Sequence, residues 1–244
     1  MTTRVGLALV GAMLCLVAAC GRGSVARSRR SPTSPSSPAT RAEERTGAGG
    51  EIALPAPVTK GTVSLEEALL RRRSVRWFRA PDLEPAQIGQ LLWAGQGISN
   101  LALGRRTAPS AGKLYPMKLY VVKRDGVFMY APAGHKLLQL ASDDRRSSLV
   151  DTAGQQTWIL SAPVIIVISG NPDLLRRQYR DRSERYLYLE GGHIAQNILL
   201  QAVSLGLGSV PVGAFDDGGV AKVVGLPAEE QAVYLLPVGY PGRR

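Results

Sequence analysis

From residue 64 onward, alternating hydrophobic and polar positions divide the chain into clear elements. Ser64–Arg72 (SLEEALLRR) reads as a short helix, with Ser64 where an N-cap belongs and Glu67 three residues later in the capping-box position. Glu84–Ala94 (EPAQIGQLLWA) reads as a second helix. Pro85 falls in its first turn, and Ile88, Leu91, Leu92 and Ala94 follow helical spacing. Lys118–Val122 alternates and then runs apolar as a strand, Arg124-Asp125-Gly126 supplies a hairpin turn, and Val127–Tyr130 returns. Ser147–Leu160 has a helical pattern, and Pro163–Ser169 (PVIIVIS) reads as a buried strand. Ser183–Leu205 is the longest predicted helix, packing through Ala195, Ile198, Leu199, Ala202 and Leu205. Gly208–Val212 and Ala232–Val238 read as further strands. There is no internal repeat, and helices interleaved with strands and a hairpin predict one α+β layered domain.

The N-terminus changes the picture. Arg4 precedes an apolar run, Val5–Ala19, of fifteen residues. A spanning helix needs about 20, so this length suits the h-region of an export signal. Leu16–Cys20 (LVAAC) resembles the bacterial lipobox, whose cysteine is lipidated; the alternatives are a signal peptide cut by the ordinary peptidase and a cytosolic start with an apolar tail. Gly21–Gly50 is rich in Ser, Pro and Arg and holds almost no large apolar residue, so it cannot bury enough surface to offset the entropy of ordering. The expected organisation is a lipoprotein signal peptide over 1–19 and lipidation at Cys20. A disordered tether over 20–60 and a folded domain over 61–244 follow. This places the protein at the cell envelope, anchored to a membrane.

The chain has 244 residues, 45% hydrophobic and 20% charged, with a net charge of +11. From Glu51 on it carries 23 basic and 17 acidic residues, so much of the excess lies in the leader and tether. No helix-turn-helix, zinc-finger or RNA-binding signature accompanies the charge, and nucleic acid is not an expected partner. Cys15 and Cys20 are the two cysteines, both N-terminal to the fold. The mature domain therefore has no disulfide, thiol nucleophile or cysteine-held metal.

Four stretches hold candidate chemistry. Arg72, Arg73, Ser74 and Arg76 cluster where the first helix ends; guanidinium forks with a hydroxyl suit a terminal phosphate, and they equally suit a solvated basic helix end. Pro109, Ser110, Ala111, Gly112 and Lys113 open the block PSAGKLYP, either a demanding loop or a place where backbone approaches a flat ligand. On the long helix, Tyr186, Glu190, His193 and Asn197 form one polar stripe, read as a hydrogen-bond network. Glu190 and His193 match half of a di-iron pattern whose other half is absent, so no metal is expected. Gly206 and Gly208 follow a helix, whereas a dinucleotide loop follows a strand. With His135 and His193 as the two histidines and no Gly-x-Ser-x-Gly elbow or P-loop, hydrolytic triads lack material. That points to a bound cofactor or to no catalysis.

RRRSVR, PSAGKLYP, LEGGHIAQNILLQAVSLGLGSVPVGAF and LPVGYP occur in this order over Ser64–Pro241. Together they resemble the nitroreductase-like FMN-dependent oxidoreductases, and among them the SagB-type dehydrogenases, which carry a similar PSAG-x-LYP block. The resemblance implies an FMN-binding α+β sandwich, with a mostly antiparallel central sheet flanked by helices, and a homodimer with FMN at the interface. It implies that Arg72, Arg73, Ser74 and Arg76 contact the FMN phosphate and ribityl side. Pro109–Lys113 would lie along the isoalloxazine, partly from the other subunit. Pro211, Val212, Gly213 and Ala214 would bring backbone amides to the reactive ring edge. The chemistry would be hydride transfer to or from a small molecule or peptide; a non-catalytic lipoprotein that keeps the fold, flavin-binding or a flavin-less scaffold, is the alternative. Lys113 stands where many nitroreductases have asparagine, and Gly213–Ala214 replaces a common Glu–Gly. The Lys–Tyr pair of azoline dehydrogenases is matched nearest by Gln178–Tyr179. Lys113 and Tyr179 are thus the candidate catalytic side chains.

Overall fold

The computed structural model describes residues 49–242. The expected signal peptide, Cys20 and most of the tether lie outside them. The described chain opens with β1 (Glu51–Ala53), α1 (Leu65–Arg71), β2 (Phe78–Arg79) and α2 (Pro85–Gln96). A two-stranded ribbon of β3 (Ile98–Asn100) and β4 (Arg105–Arg106) follows, then β5 (Met117–Lys123), β6 (Gly126–Ala131) and β7 (Lys136–Ala141). Next come α3 (Arg146–Thr152), β8 (Val164–Gly170), α4 (Pro172–Tyr179) and α5 (Ser183–Ser204). The last elements are β9 (Gly208–Ser209), α6 (Asp217–Val224) and β10 (Gln231–Pro241). The main sheet runs β1-β7-β6-β5-β8-β10-β2, with β9 added on β10. All its ladders are antiparallel.

The central strands are apolar at nearly every position because helices cover both faces. Met117, Leu119 and Val121 of β5 enter one core together with Ile88, Leu91 and Leu92 of α2 and Ile194 and Ile198 of α5. Tyr120 and Val122 enter the other, against Leu149 and Val150 of α3 and Val220 and Val224 of α6. β8 divides the same way, with Ile166 and Ile168 on the first face and Ile165 and Val167 on the second. α2 and α5 approach closely because Gly95 lacks a side chain; a Cβ there would lie 3.0 Å from Ile198 Cδ1.

Several expectations need correction. The pattern Ser147–Leu160 is not one helix. α3 ends at Thr152, left-handed Gly154 (φ 63°) and Gln155 (φ 58°) turn the chain, and Thr157–Ser161 forms a separate 3-10 turn. Gly208–Val212 pairs at Gly208–Ser209 and again at Val212, with Pro211 between, so it is two short contacts instead of one strand. The tether does not extend to residue 60, since Glu51–Ala53 pairs with β7. His135 explains why that segment is held. Its O accepts from Leu54 N (3.1 Å), and its Nε2 donates to the Pro55 carbonyl (3.0 Å) while Nδ1 accepts from Tyr130 OH (2.9 Å). Burial lowers the His135 pKa, which favours this neutral tautomer.

The fold rests on the double-sided sheet. Ile166→Ala, at a fully buried site, should lower stability by about 2–5 kcal/mol. Denaturant unfolding should show a lower midpoint with an unchanged slope.

Candidate functional site

Two of the predicted segments meet at the edge of β10. α1 is capped by Ser64 Oγ, which accepts from Glu67 N (3.1 Å), and it stops at Arg72, whose backbone is already extended (ψ 125°). The chain then runs alongside β9. Ser74 and Ser209 form a parallel bridge, and Val75 N donates to Ser209 O (3.0 Å). Gly208 makes this approach possible, because a Cβ there would lie 2.7 Å from the Val75 side chain. Arg76 stacks on Trp158 at 5.8 Å. Arg71 pairs with Glu67, but no carboxylate among the described residues pairs with Arg72, Arg73 or Arg76.

Three residues beyond Ser209, Val212 exchanges two backbone hydrogen bonds with Leu235 (2.9 and 3.0 Å). Pinned there, the chain leaves Gly213 and Ala214 exposed, and among the described residues their amides have no acceptor. The Ser209 hydroxyl is buried and makes no hydrogen bond. Guanidinium groups, an orphaned hydroxyl and exposed amides are the donor types that suit an anion and an adjoining acceptor-rich group.

The third segment lies elsewhere, against α4 and α5. Gly112 (φ 59°), Lys113 (φ 56°) and Tyr115 (φ 47°) are all left-handed. Gly112 is forced by contact as well as by conformation, since a Cβ would sit 2.9 Å from Tyr179 OH and 3.1 Å from Gln178 Oε1. Gln178–Tyr179 therefore abuts the loop, and Tyr179 is braced edge-on by Tyr186 at 4.9 Å. Lys113 is exposed. A cavity of about 650 Å³ opens beside Leu114, Tyr115, Gln96, Arg106 and Gln178.

Below the loop lies a polar group that sequence reasoning misplaced. Glu190 is buried at 2% exposure, whereas His193 one turn on is exposed, so the predicted polar stripe is split between core and surface. Neither Glu190 oxygen nor Gln96 Nε2 makes a hydrogen bond, although the side chains of Ser110 and Gln96 are close enough to favour the carboxylate. Burial pushes the Glu190 pKa up to about 7, against the opposing pull of Ser110, Gln96 and the Arg106 charge. Gln96 and Arg106 were missed. The signal for Gln96 was its place four residues after Leu92, a polar side chain continuing the apolar stripe of α2. Ser209, between Gly208 and Val210, gave no signal.

The nitroreductase family model matches residues 69–240, which include Arg72–Arg76, Pro109–Tyr115, Glu190 and Ser209–Ala214. The chain belongs to the nitroreductase family. A protein of Methanocaldococcus jannaschii named as a nitroreductase is 37% identical over 183 residues, covering 72% of this chain and 91% of that protein. The NADPH-flavin oxidoreductase of Vibrio harveyi is 25% identical over 187 residues, covering 72% of this chain and 65% of its own length. A crystal structure named as a nitroreductase from Ralstonia eutropha superposes with a TM-score of 0.73 at 29% identity, covering 82% of this chain and 95% of that one. Nitroreductase-family proteins are generally flavin-dependent oxidoreductases and typically bind FMN. The α+β fold with its central antiparallel sheet is the fold of this family.

In this nitroreductase-family chain the residues fit such a group. The orphaned Ser209 hydroxyl and the carboxylate-free Arg72, Arg73 and Arg76 complement a phosphate, and the free amides of Gly213 and Ala214 complement the acceptor edge of a flavin ring.

Glu190 makes the chain's stability depend on pH. Its folded pKa lies above the ordinary 4.5, so the folded state holds the extra proton and stability falls as pH rises from about 4.5 through about 7. A displacement of that size corresponds to about 3 kcal/mol. Glu190→Gln should therefore match the wild type at pH 4 and exceed it at pH 8, as read by denaturant midpoints at the two pH values.

Proposed function

We propose that this nitroreductase-family oxidoreductase is an FMN-dependent enzyme of the SagB-type branch that works as a homodimer. The observation that carries the reading is the junction at Ser74 and Ser209, where, among the described residues, the cations have no carboxylate partner and a buried hydroxyl has no hydrogen bond. Arg72, Arg73, Ser74 and Arg76 would take the phosphate end of FMN, and Gly213 and Ala214 the ring edge. Pro109, Ser110 and Ala111 of a second copy would flank the ring, since within one chain that loop packs on α4 and α5 instead. Bound there, FMN supplies hydride transfer, and the protein supplies position and electrostatics.

The SagB-type assignment is supported by Gly213–Ala214 in place of Glu–Gly and by the contact of Gln178–Tyr179 with Gly112. Tyr179 then stands as the tyrosine of the branch's Lys–Tyr pair, with Gln178 in the lysine's place. A glutamine cannot act as the base, so the proposed substrate is a small molecule or peptide other than an azoline precursor. Lys113, at the loop surface, is a candidate for balancing negative charge on the ring. The cavity beside Tyr115 gives room for the substrate. We place the protein at the cell envelope, held through Cys20; no helix among the described residues is long and apolar enough to cross a membrane.

Titrating FMN into the full chain, purified in detergent, tests the function. The expected result is quenched flavin fluorescence with saturable binding, and affinity at least tenfold weaker in Arg72→Ala/Arg76→Ala, where two charge-assisted contacts are lost. A colourless protein that takes up no FMN would end the proposal. Stopped-flow reduction with NADH, NADPH and quinols then identifies the donor. Cys20→Ala should move the protein from the membrane to the soluble fraction; retention in the membrane would refute the anchor.

A further inference from the structure

Two buried glutamates stand in contrast. Glu230 is fully engaged: Lys118 Nζ (2.5 Å), Tyr120 OH (2.8 Å) and Ser169 Oγ (2.8 Å) all donate to it. Glu190 is more deeply buried, yet neither of its oxygens is bonded, and the neighbouring Gln96 Nε2 is also orphaned. Buried unsatisfied groups are rare because each bears the full cost of lost hydration, so a pair of them side by side calls for a cause.

The loop above supplies one. Left-handed Lys113 and Tyr115 persist only if their surroundings hold them. Two chains of contacts do so. Ser110 Oγ accepts from Tyr115 N (2.9 Å). Tyr115 OH accepts from Arg106 N (3.1 Å), the Arg106 guanidinium lies 4.7 Å over the Tyr115 ring, and its Nη1 donates to Gln96 Oε1 (2.9 Å). The inner ends of both chains, Ser110 and Gln96, border Glu190.

We propose that Glu190 is a positioning residue for the loop Pro109–Tyr115, and that gain or loss of its proton switches the loop between a held and a loosened state. The neutral acid tolerates its burial with little demand on its neighbours. The carboxylate demands donors, and the Ser110 hydroxyl and the unbonded Gln96 Nε2 can supply them while Ser110 Oγ and Gln96 Oε1 go on accepting. The loosening runs through Arg106, whose guanidinium the new charge draws inward, off the Tyr115 ring and away from Gln96 Oε1. Burial places the titration in the near-neutral range. The ionisable groups on the elements around it include Arg106 on β4, Lys113 and Tyr115 on the loop, Tyr179 on α4, Tyr234 on β10, and Tyr186 and His193 on α5. Of these, Arg106 acts on the charge of Glu190. The inference rests on the FMN reading only for what the loop flanks.

Its test needs no flavin. Hydrogen exchange of the full chain, corrected for intrinsic rates, is followed by mass spectrometry from pH 5.5 to 8.5. Protection of the segment 109–116 should fall at least tenfold across that range with a midpoint near 7, while β8 stays protected. Glu190→Gln, a neutral isostere, should keep the high protection at every pH. Ser110→Ala removes a hydroxyl that favours the charged form, so its midpoint should move upward; this variant decides the matter if Glu190→Gln does not fold. A flat wild-type profile, an unmoved Ser110→Ala midpoint, or an inflection that survives in Glu190→Gln would overturn the proposal, the last assigning the titration to a group other than Glu190. If FMN binding fails while the exchange profile holds, the functional reading falls and the loop switch stands.

Discussion

The architecture depends on hydrogen bonding along both edges of β10. One edge pairs with β8 from Gln231 to Val238. The other carries Val212, then Gly208–Ser209, then Phe78–Arg79. Leu236 and Val238 face one core and Leu235 the other, so a one-residue slip would exchange two apolar sets at once. The register is therefore fixed, and with it the position of each short segment on the second edge. The candidate anion cradle is built from those segments, so its geometry follows from the packing of the strand behind it.

Polar groups inside the fold fall into two kinds. Glu230 with Lys118, Tyr120 and Ser169, and His135 with Tyr130 and Pro55, are closed sets that fasten strands and an N-terminal segment in place. Ser209, Gln96 and Glu190 are open ones. The open groups lie next to the segments that resemble a flavin site, and nowhere in the middle of the sheet. A framework satisfied elsewhere can support unsatisfied groups where a ligand or a moving loop would use them.

The legible parts of the sequence were those dictated by one dominant pattern. PVIIVIS announced a strand covered on both faces, and Ser64 with Glu67 announced a helix start. α4 was missed because its exposed face is Arg-rich and Leu175 alone is buried, and α6 because Gly218 and Gly219 mask a helix capped by Asp216. β7 alternates too weakly to stand apart from its turn. The segments of the site were legible through their resemblance to a family, but their contacts were not. Burial of Glu190 beside an exposed His193 depends on how α5 is rotated against the sheet, which helical spacing alone does not fix.

β1 has a mechanical consequence. It is three residues long and pairs antiparallel with β7 at the edge of the sheet. Tension drawn through the N-terminus across the strand would load its pairs one after another, as in peeling tape, whereas tension along the strand would load them together in shear. Peeling breaks bonds in sequence at low force. The His135 contacts to Leu54 and Pro55 come next along the chain, and they act as the stop at which such a tear would halt before it reached the two cores.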